Sequence, residues 1–198
     1  MIGAVYFDWG HLGQPRFPNA TGAKHAAPTG ELIEAHEIPI YLCAAVRRCY
    51  DLGIFVQVDA AGSYLERQRR AVAFANAYTG SVVYAAAHLN MFPGGPVGQR
   101  VGFFHDARSA NGAKLAADLV GAFSDVDYAD RIRAYPCKSN DWTKNALYCI
   151  RDIYTGPANV AGVTLEPLGL NGTPEPTAEL LIDVGHRIAD GIAAYFGA

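Results

Sequence analysis

A single α/β domain built on a twisted, mostly parallel sheet of about six strands, with helices on both faces, is predicted by two features of this 198-residue sequence. Short apolar runs rich in Val, Tyr, Phe and Ala alternate along the chain with longer segments of helical periodicity. That alternation is the signature of βαβ units and a doubly wound sheet. No internal repeat, low-complexity tract or linker divides the chain, so one domain is expected over residues 1–198.

Taken in order, residues 2–8 read as a buried strand. Residues 12–30 are rich in Gly, Pro, Asn and Thr without a period, and read as a long loop. A loop of that length in a compact domain is often functional. A helix is expected from about Ile38 to Leu52, with Pro39 in its first turn, where the missing N–H costs nothing. Ile54 to Val58 is the next strand, and Ser63 to Tyr78 the next helix, with Leu65, Val72 and Ala75 or Ala73 facing the core. The run Ser81 to Ala87 is a strand that ends at His88. Met91 to Gln99 is a Gly/Pro loop, Arg100 to His105 a short strand, and Ser109 to Phe123 an amphipathic helix. Residues 124–146 read as loop with a short strand near Arg133. Leu147 to Arg151 and Val160 to Leu165 are further strands, and a helix from about Thr177 to Phe196 closes the chain.

Composition narrows the function classes. About half of the residues (51%) are apolar and 18% are charged, as in ordinary globular domains. A net charge of −3 leaves no electrostatic footprint for nucleic acid or for an anionic membrane. No apolar stretch is long enough to span a bilayer, and Met1 leads directly into an apolar strand without a charged n-region or cleavage site. No membrane anchor and no signal peptide are therefore expected. The four cysteines form no CxxC and no disulfide framework. Cys43 and Cys49 do not share a helical face; for Cys137 and Cys149, buried thiols and a bond between them both remain open.

The residues able to carry chemistry are His11, His88, Glu166 and Glu37. The first three end strand-like runs, and the fourth opens a helix. In open α/β sheets, ligands bind outside the carboxyl ends of the strands. Two imidazoles and two carboxylates would converge there. Catalytic zinc takes about three protein ligands and leaves one position open, while a further group takes the proton from water. His11, Glu37 and His88 suit the first role and Glu166 the second. Glu31 and Glu34 lie close by. Glu37 is preferred because Ile40, Leu42, Val46 and Tyr50 then follow it in apolar phase, and Glu34 is the alternative ligand.

Four segments carry a family resemblance. FDWGHLG looks like the DPGHGG-type strand end of the zinc-dependent N-acetylmuramoyl-L-alanine amidases, and Glu37 followed by IPIYLCAAVRRCYDLG resembles their helix-opening glutamate. AFANAYTGSVVYAAAHLN is similar to their AN…(F)VSIHAN segment, and VTLEPLGLNG to their VLVE-x-GFLSN segment. The closing IADGIAAYF resembles their last helix, so the likeness keeps the family's order over nearly the whole chain. It implies Zn²⁺ as cofactor, His11, Glu37 and His88 as metal ligands, and Glu166 as catalytic base. Asp8 would support the ligands from behind, and Asn90 would shape the loop after His88. The implied reaction is hydrolysis of the amide between the lactyl group of N-acetylmuramic acid and L-alanine in bacterial peptidoglycan. The sequence departs from the pattern at Trp9 (proline in the family), at Leu12 (glycine), at Ala86-Ala87 (Ser-Ile), and by one extra residue between Asn76 and His88.

The expected absence of a signal peptide and of a wall-binding module points to a phage-type lysin, with a bacterial enzyme exported by another route as the alternative. Either would be made in the cytoplasm without a signal peptide and act on peptidoglycan after release by host lysis or after export; a monomer is favoured, with the oligomeric state left open by the sequence. Two other readings are a different zinc hydrolase on the same scaffold and a non-catalytic wall-binding module. His25, His36, His105 and His186 lack the context of ligands, though His105 and His25 are placed nearest the cleft. Arg67, Arg69 and Arg70 read as a solvated helix face. Tyr6, Phe7, Phe55, Phe74 and Tyr84 read as core, and Trp9 and Trp142 as partly buried packing.

Overall fold

A computed structural model describes residues 1–11, 22–28, 30–92, 97–138 and 158–198. Its strands are β1 (Ala4–Trp9), β2 (Lys24–Ala27), β3 (Gly30–Ile33), β4 (Phe55–Asp59), β5 (Val82–Ala87), β6 (Val97–Asp106), β7 (Ala129–Cys137), β8 (Val160–Glu166) and β9 (Gly172–Thr173). Its helices are α1 (Glu34–Asp51), α2 (Tyr64–Ala77), α3 (Ala110–Ala122) and α4 (Ala178–Phe196). The main sheet has the order β4-β1-β5-β8-β6-β7, with β9 paired to β6. Strands β4, β1, β5 and β8 are parallel, and β6 runs against β8, with β7 parallel to β6. The expected fold class is the observed one.

Alternation along the central strands explains the layering. Val5 and Phe7 of β1, Val83 and Ala85 of β5, and Val163 and Leu165 of β8 face a core shared with α1, α3 and α4. Ala4, Tyr6, Val82, Tyr84 and Ala86 point the other way, where Ala71 and Ala75 of α2 cover them. Burial on both faces is why these strands read as continuous apolar runs. Ser63 caps α2 in a reciprocal box with Glu66, and Ser109 and Thr177 cap α3 and α4.

Several elements differ from expectation. β2, inside the segment read as loop, pairs antiparallel with β3, which begins at the end of that segment and runs on to Ile33; the two strands have only four residues each, too few to show a period. Helix α1 starts at Glu34, four residues earlier than expected, because β3 runs straight into it. Pro39 therefore lies inside the helix rather than in its first turn. Its missing N–H leaves the Ala35 carbonyl without the usual partner one turn on. The strand near Arg133 is nine residues long. Phe55 is exposed at the sheet edge and Phe74 is half-buried. Leu12, Trp142, Cys149 and the Leu147–Arg151 strand lie outside the described residues. Cys43 and Cys49 form no bond. Among the described residues no helix is long and apolar enough to cross a membrane.

Helices α1 and α4 cross closely at Gly185. A Cβ there would lie 2.2 Å from the Tyr41 carbonyl oxygen and 2.7 Å from the Ala44 Cβ. Backbone cannot yield as a flexible side chain can, so the two helices would have to part. Gly185→Val is expected to lower stability by about 1–3 kcal/mol, read as a fall in the denaturant midpoint at unchanged slope.

Candidate metal centre at the strand ends

The parallel register brings the carboxyl ends of β1, β5 and β8 flush. Ala87 lies opposite both Trp9 and Leu165, so the residues that follow these strands are neighbours in space. His11 leaves β1 in the left-handed region, at φ 63°. Only a few per cent of non-glycine residues adopt this conformation, and they cluster at functional sites. Gly10, just before it, packs where a Cβ would meet the Ala87 carbonyl at 2.3 Å and the His88 ring at 2.8 Å. The chain can thus turn His11 across the end of β5.

Three side-chain atoms converge at this point. His11 Nε2 lies 3.1 Å from Glu34 Oε1, His88 Nδ1 lies 3.2 Å from the same oxygen, and the two ring nitrogens are 3.1 Å apart. Hydrogen bonding alone satisfies this triangle poorly. If both imidazoles donate to the carboxylate, their N–H groups crowd each other. One small cation resolves the conflict, since ligand atoms at about 2.0–2.1 Å from a tetrahedral ion lie roughly 3.3 Å apart. The donor set and its spacing therefore fit a metal ion, and His11, Glu34 and His88 are the residues that could hold it.

The carboxylate in this set is Glu34, not the preferred Glu37. The reason is the helix start. Cα–Cβ bonds tilt toward a helix N-terminus, so the side chain of the first residue of α1 can hang over the strand ends. Glu37 sits most of a turn farther along the axis, half-exposed, its pKa raised by burial with His36 opposing. A sequence signal for Glu34 existed. Counted from it, the buried residues Ile38, Tyr41, Leu42, Ala45 and Cys49 fall at i+4, i+7, i+8, i+11 and i+15. Tyr50, which supported Glu37, is 60% exposed.

Glu34 is 3% exposed and its oxygens are shared out. Oε1 accepts from Leu89 N–H at 3.0 Å, and Oε2 from Ala23 N–H at 2.9 Å, in the lead-in to the β2–β3 hairpin. Burial alone would favour the neutral acid. His11 and His88 outweigh it and hold the Glu34 carboxyl far below the usual range. Tyr41 donates to the His88 carbonyl at 3.1 Å. Tyr64, at the start of α2, accepts from His11 N–H at 3.2 Å and sets its ring edge-on to the imidazole. Neither tyrosine stood out in the sequence, because each falls where an ordinary helix-packing aromatic would.

Glu166 ends β8 beside this centre. The His88 N–H donates to the carbonyl of Leu165, the residue before it, at 3.0 Å. Its pKa is raised by burial, with His88 pulling it down and Glu34 pushing it up, so both lie within its field. Asn90 extends the pairing past the strand ends by backbone bonds of 2.8 Å to Leu168 and Leu170. Asp8 lies beneath the site and is fully buried. Arg67 Nε donates to it at 2.5 Å and the Tyr84 hydroxyl at 2.5 Å. Arg67 is thus not part of a solvated helix face, because a buried carboxylate one layer below α2 needs a counter-charge. Arg70 is paired too, with Asp59 at 2.6 Å, and Arg69 is exposed as expected. His105 turns away from the centre. β6 runs opposite to β8, so the pairing of Gly102 with Glu166 leaves His105 toward the far end of the sheet, bonded to the Asp106 carbonyl at 3.0 Å. His25 is half-buried on β2, and His36 and His186 are exposed.

No family model matches the sequence, and no curated protein matches it. Solved structures do. The chain is similar to the CwlD amidase from Clostridioides difficile, solved in complex with the GerS lipoprotein, at 16% identity over 98% of each chain (TM-score 0.71). It resembles the N-acetylmuramoyl-L-alanine amidase AmiC2 of Nostoc punctiforme at 17% identity, over 100% of this chain and 99% of that one (TM-score 0.70). It also resembles Cwp6 from Clostridium difficile at 20% identity over 96% of this chain (TM-score 0.69), but spans only 28% of that protein's length. At such identities the likeness establishes a shared fold.

Two outcomes follow from the geometry. Glu34→Gln is expected to weaken zinc binding by about 100-fold or more in a chelator competition, with Glu37→Gln close to wild type. Arg67→Met leaves the Asp8 charge buried without its partner and should cost about 3–5 kcal/mol in chemical unfolding. Adding Asp8→Asn should restore part of that loss.

Proposed function

We propose that this protein is a zinc-dependent hydrolase of peptidoglycan, cleaving the amide between N-acetylmuramic acid and the L-alanine of the stem peptide. The observation that carries the reading is the His11–Glu34–His88 centre with Glu166 beside it at the carboxyl ends of the parallel strands. The fold shared with amidase structures supports the choice of substrate. Action on the cell wall, after release during lysis or by export, belongs to the same proposal.

His11, Glu34 and His88 would hold the ion. When bound, zinc supplies a Lewis acid for the scissile carbonyl and for the attacking water. The chain's own residues do the rest. Glu34, kept ionised by the two histidines, offsets the charge of the ion. Glu166 accepts the proton that water loses on attacking the carbonyl carbon, and returns it to the L-alanine nitrogen as the C–N bond breaks. The upward pull of burial on the Glu166 pKa suits both halves of that transfer. Tyr41 and Tyr64 fix the His88 carbonyl and the His11 backbone, and so the direction of both rings.

The test is to incubate zinc-loaded protein with purified peptidoglycan, beside Glu166→Gln, and to identify soluble products by mass spectrometry. Free stem peptides beginning with L-alanine are expected from the wild type. The variant should retain zinc and lose about 10²–10⁴-fold in rate. Cuts within the peptide would instead make it another zinc amide hydrolase. Pelleting on the wall without products would make it a binding module.

A further inference from the structure

Beyond Glu166, the same face of the sheet carries three arginines that the centre does not use. β6 contributes Arg100, and β7 contributes Arg131 and Arg133. The register sets Arg100 opposite Arg131, and Gly102 opposite Arg133. Gly102 is also the residue opposite Glu166. His88, Glu166, Gly102 and Arg133 therefore follow one another across neighbouring strands. With strands about 4.8 Å apart, the backbones of Glu166 and Arg133 are separated by roughly 10 Å.

Between them Gly102 is buried beneath the rings of Phe104 and Tyr135. Gly102 brings no side chain, and a Cβ there would meet Phe104 Cε2 at 2.9 Å. The Phe104 and Tyr135 rings, stacked at 4.8 Å between centroids, form an aromatic floor. Arg100 lies over the Phe92 ring at 5.4 Å, which keeps its guanidinium beside the loop that follows His88.

The arginines themselves call for an anion. Arg48, Arg67, Arg70, Arg108 and Arg187 each have a carboxylate partner, and Arg47 and Arg69 are exposed on helices away from this row. Arg100, Arg131 and Arg133 are exposed, and among the described residues no carboxylate pairs with any of them. Like charges directly opposite on neighbouring strands destabilise a sheet. Folding gains nothing from Arg100 facing Arg131, whereas a bound anion would relieve that repulsion.

We propose that Arg133, Arg131 and Arg100 bind carboxylates of an acidic peptide on the leaving side of the scissile amide, across the Phe104–Tyr135 floor from Glu166. This rests on the peptidoglycan reading. An extended chain advances about 3.3–3.6 Å per residue. A carboxylate carried by the second or third residue after the scissile nitrogen thus reaches the arginine row. Guanidinium forks bind carboxylates through paired, charge-assisted hydrogen bonds. The arginines thereby select acidic over amidated stems.

Calorimetric titration of the zinc-loaded full chain tests this with the tripeptide L-Ala-γ-D-Glu-L-Lys and its carboxamide analogue. The acid form is expected to bind about 10-fold more tightly, or about 1.4 kcal/mol, and the preference should shrink as salt is raised. It should fall toward unity in Arg133→Gln/Arg131→Gln and persist in the control Arg69→Gln. Equal binding of the two peptides, or a preference that survives the double substitution, would overturn the assignment. So would a glycerol phosphate oligomer that binds more tightly than the acid peptide and depends on the same arginines. Binding is read without turnover, so the two readings fail separately. Peptidoglycan left uncut while the acid preference tracks the arginines sinks the amidase reading alone. Cleavage without that preference sinks the arginine site alone.

Discussion

Everything at the strand ends depends on keeping one buried carboxylate charged. Glu34 is nearly removed from water, and burial by itself would protonate it. Two imidazoles and two backbone N–H groups prevent this, and they come from three parts of the chain: His11 after β1, His88 and Leu89 after β5, and Ala23 in the lead-in to the β2–β3 hairpin. Its place at the first residue of α1 adds the favourable end of the helix dipole. Moving any of these elements would leave an anion buried without compensation, which is the costliest error a core can contain.

The elements are held in place from both sides of the sheet. On one side α1 and α4 pack closely enough for Gly185 to touch backbone, and Tyr41 reaches from α1 to the His88 carbonyl. On the other, the Asp8–Arg67 pair ties β1 to α2, with the Tyr84 hydroxyl from β5 completing the shell around Asp8. The same helix starts with Tyr64, whose ring lies under the guanidinium of Arg67 at 4.8 Å and edge-on to His11. A buried ion pair is a poor source of net stability. Here it sits one layer below the metal-capable residues, where its value is geometric.

The change of direction between β8 and β6 shapes what lies beyond the centre. Because β6 runs backwards, its middle, not its carboxyl end, lies beside Glu166. This takes His105 and Asp106 away and brings in Gly102, Arg100 and, through β7, Arg131 and Arg133. A fully parallel sheet would have put a different set of side chains next to the base.

His11, His88 and Glu166 were legible because each ends an apolar run, and strand ends in an open α/β sheet meet on one edge whatever the connections do. The layering was legible for the same reason, since burial on both faces leaves continuous apolar runs. That Glu34 and not Glu37 meets the two histidines is a matter of tertiary structure. It turned on where α1 starts, and that is set by the β2–β3 hairpin running directly into it rather than by Pro39. Arg67 was misread because an arginine among arginines on a helix looks solvated; only the fold shows Asp8 beneath it. The arginine row could not be seen at all. It needs the register of β6 against β7 and the reversed direction of β6, and pairing between strands leaves no mark in the periodicity of either.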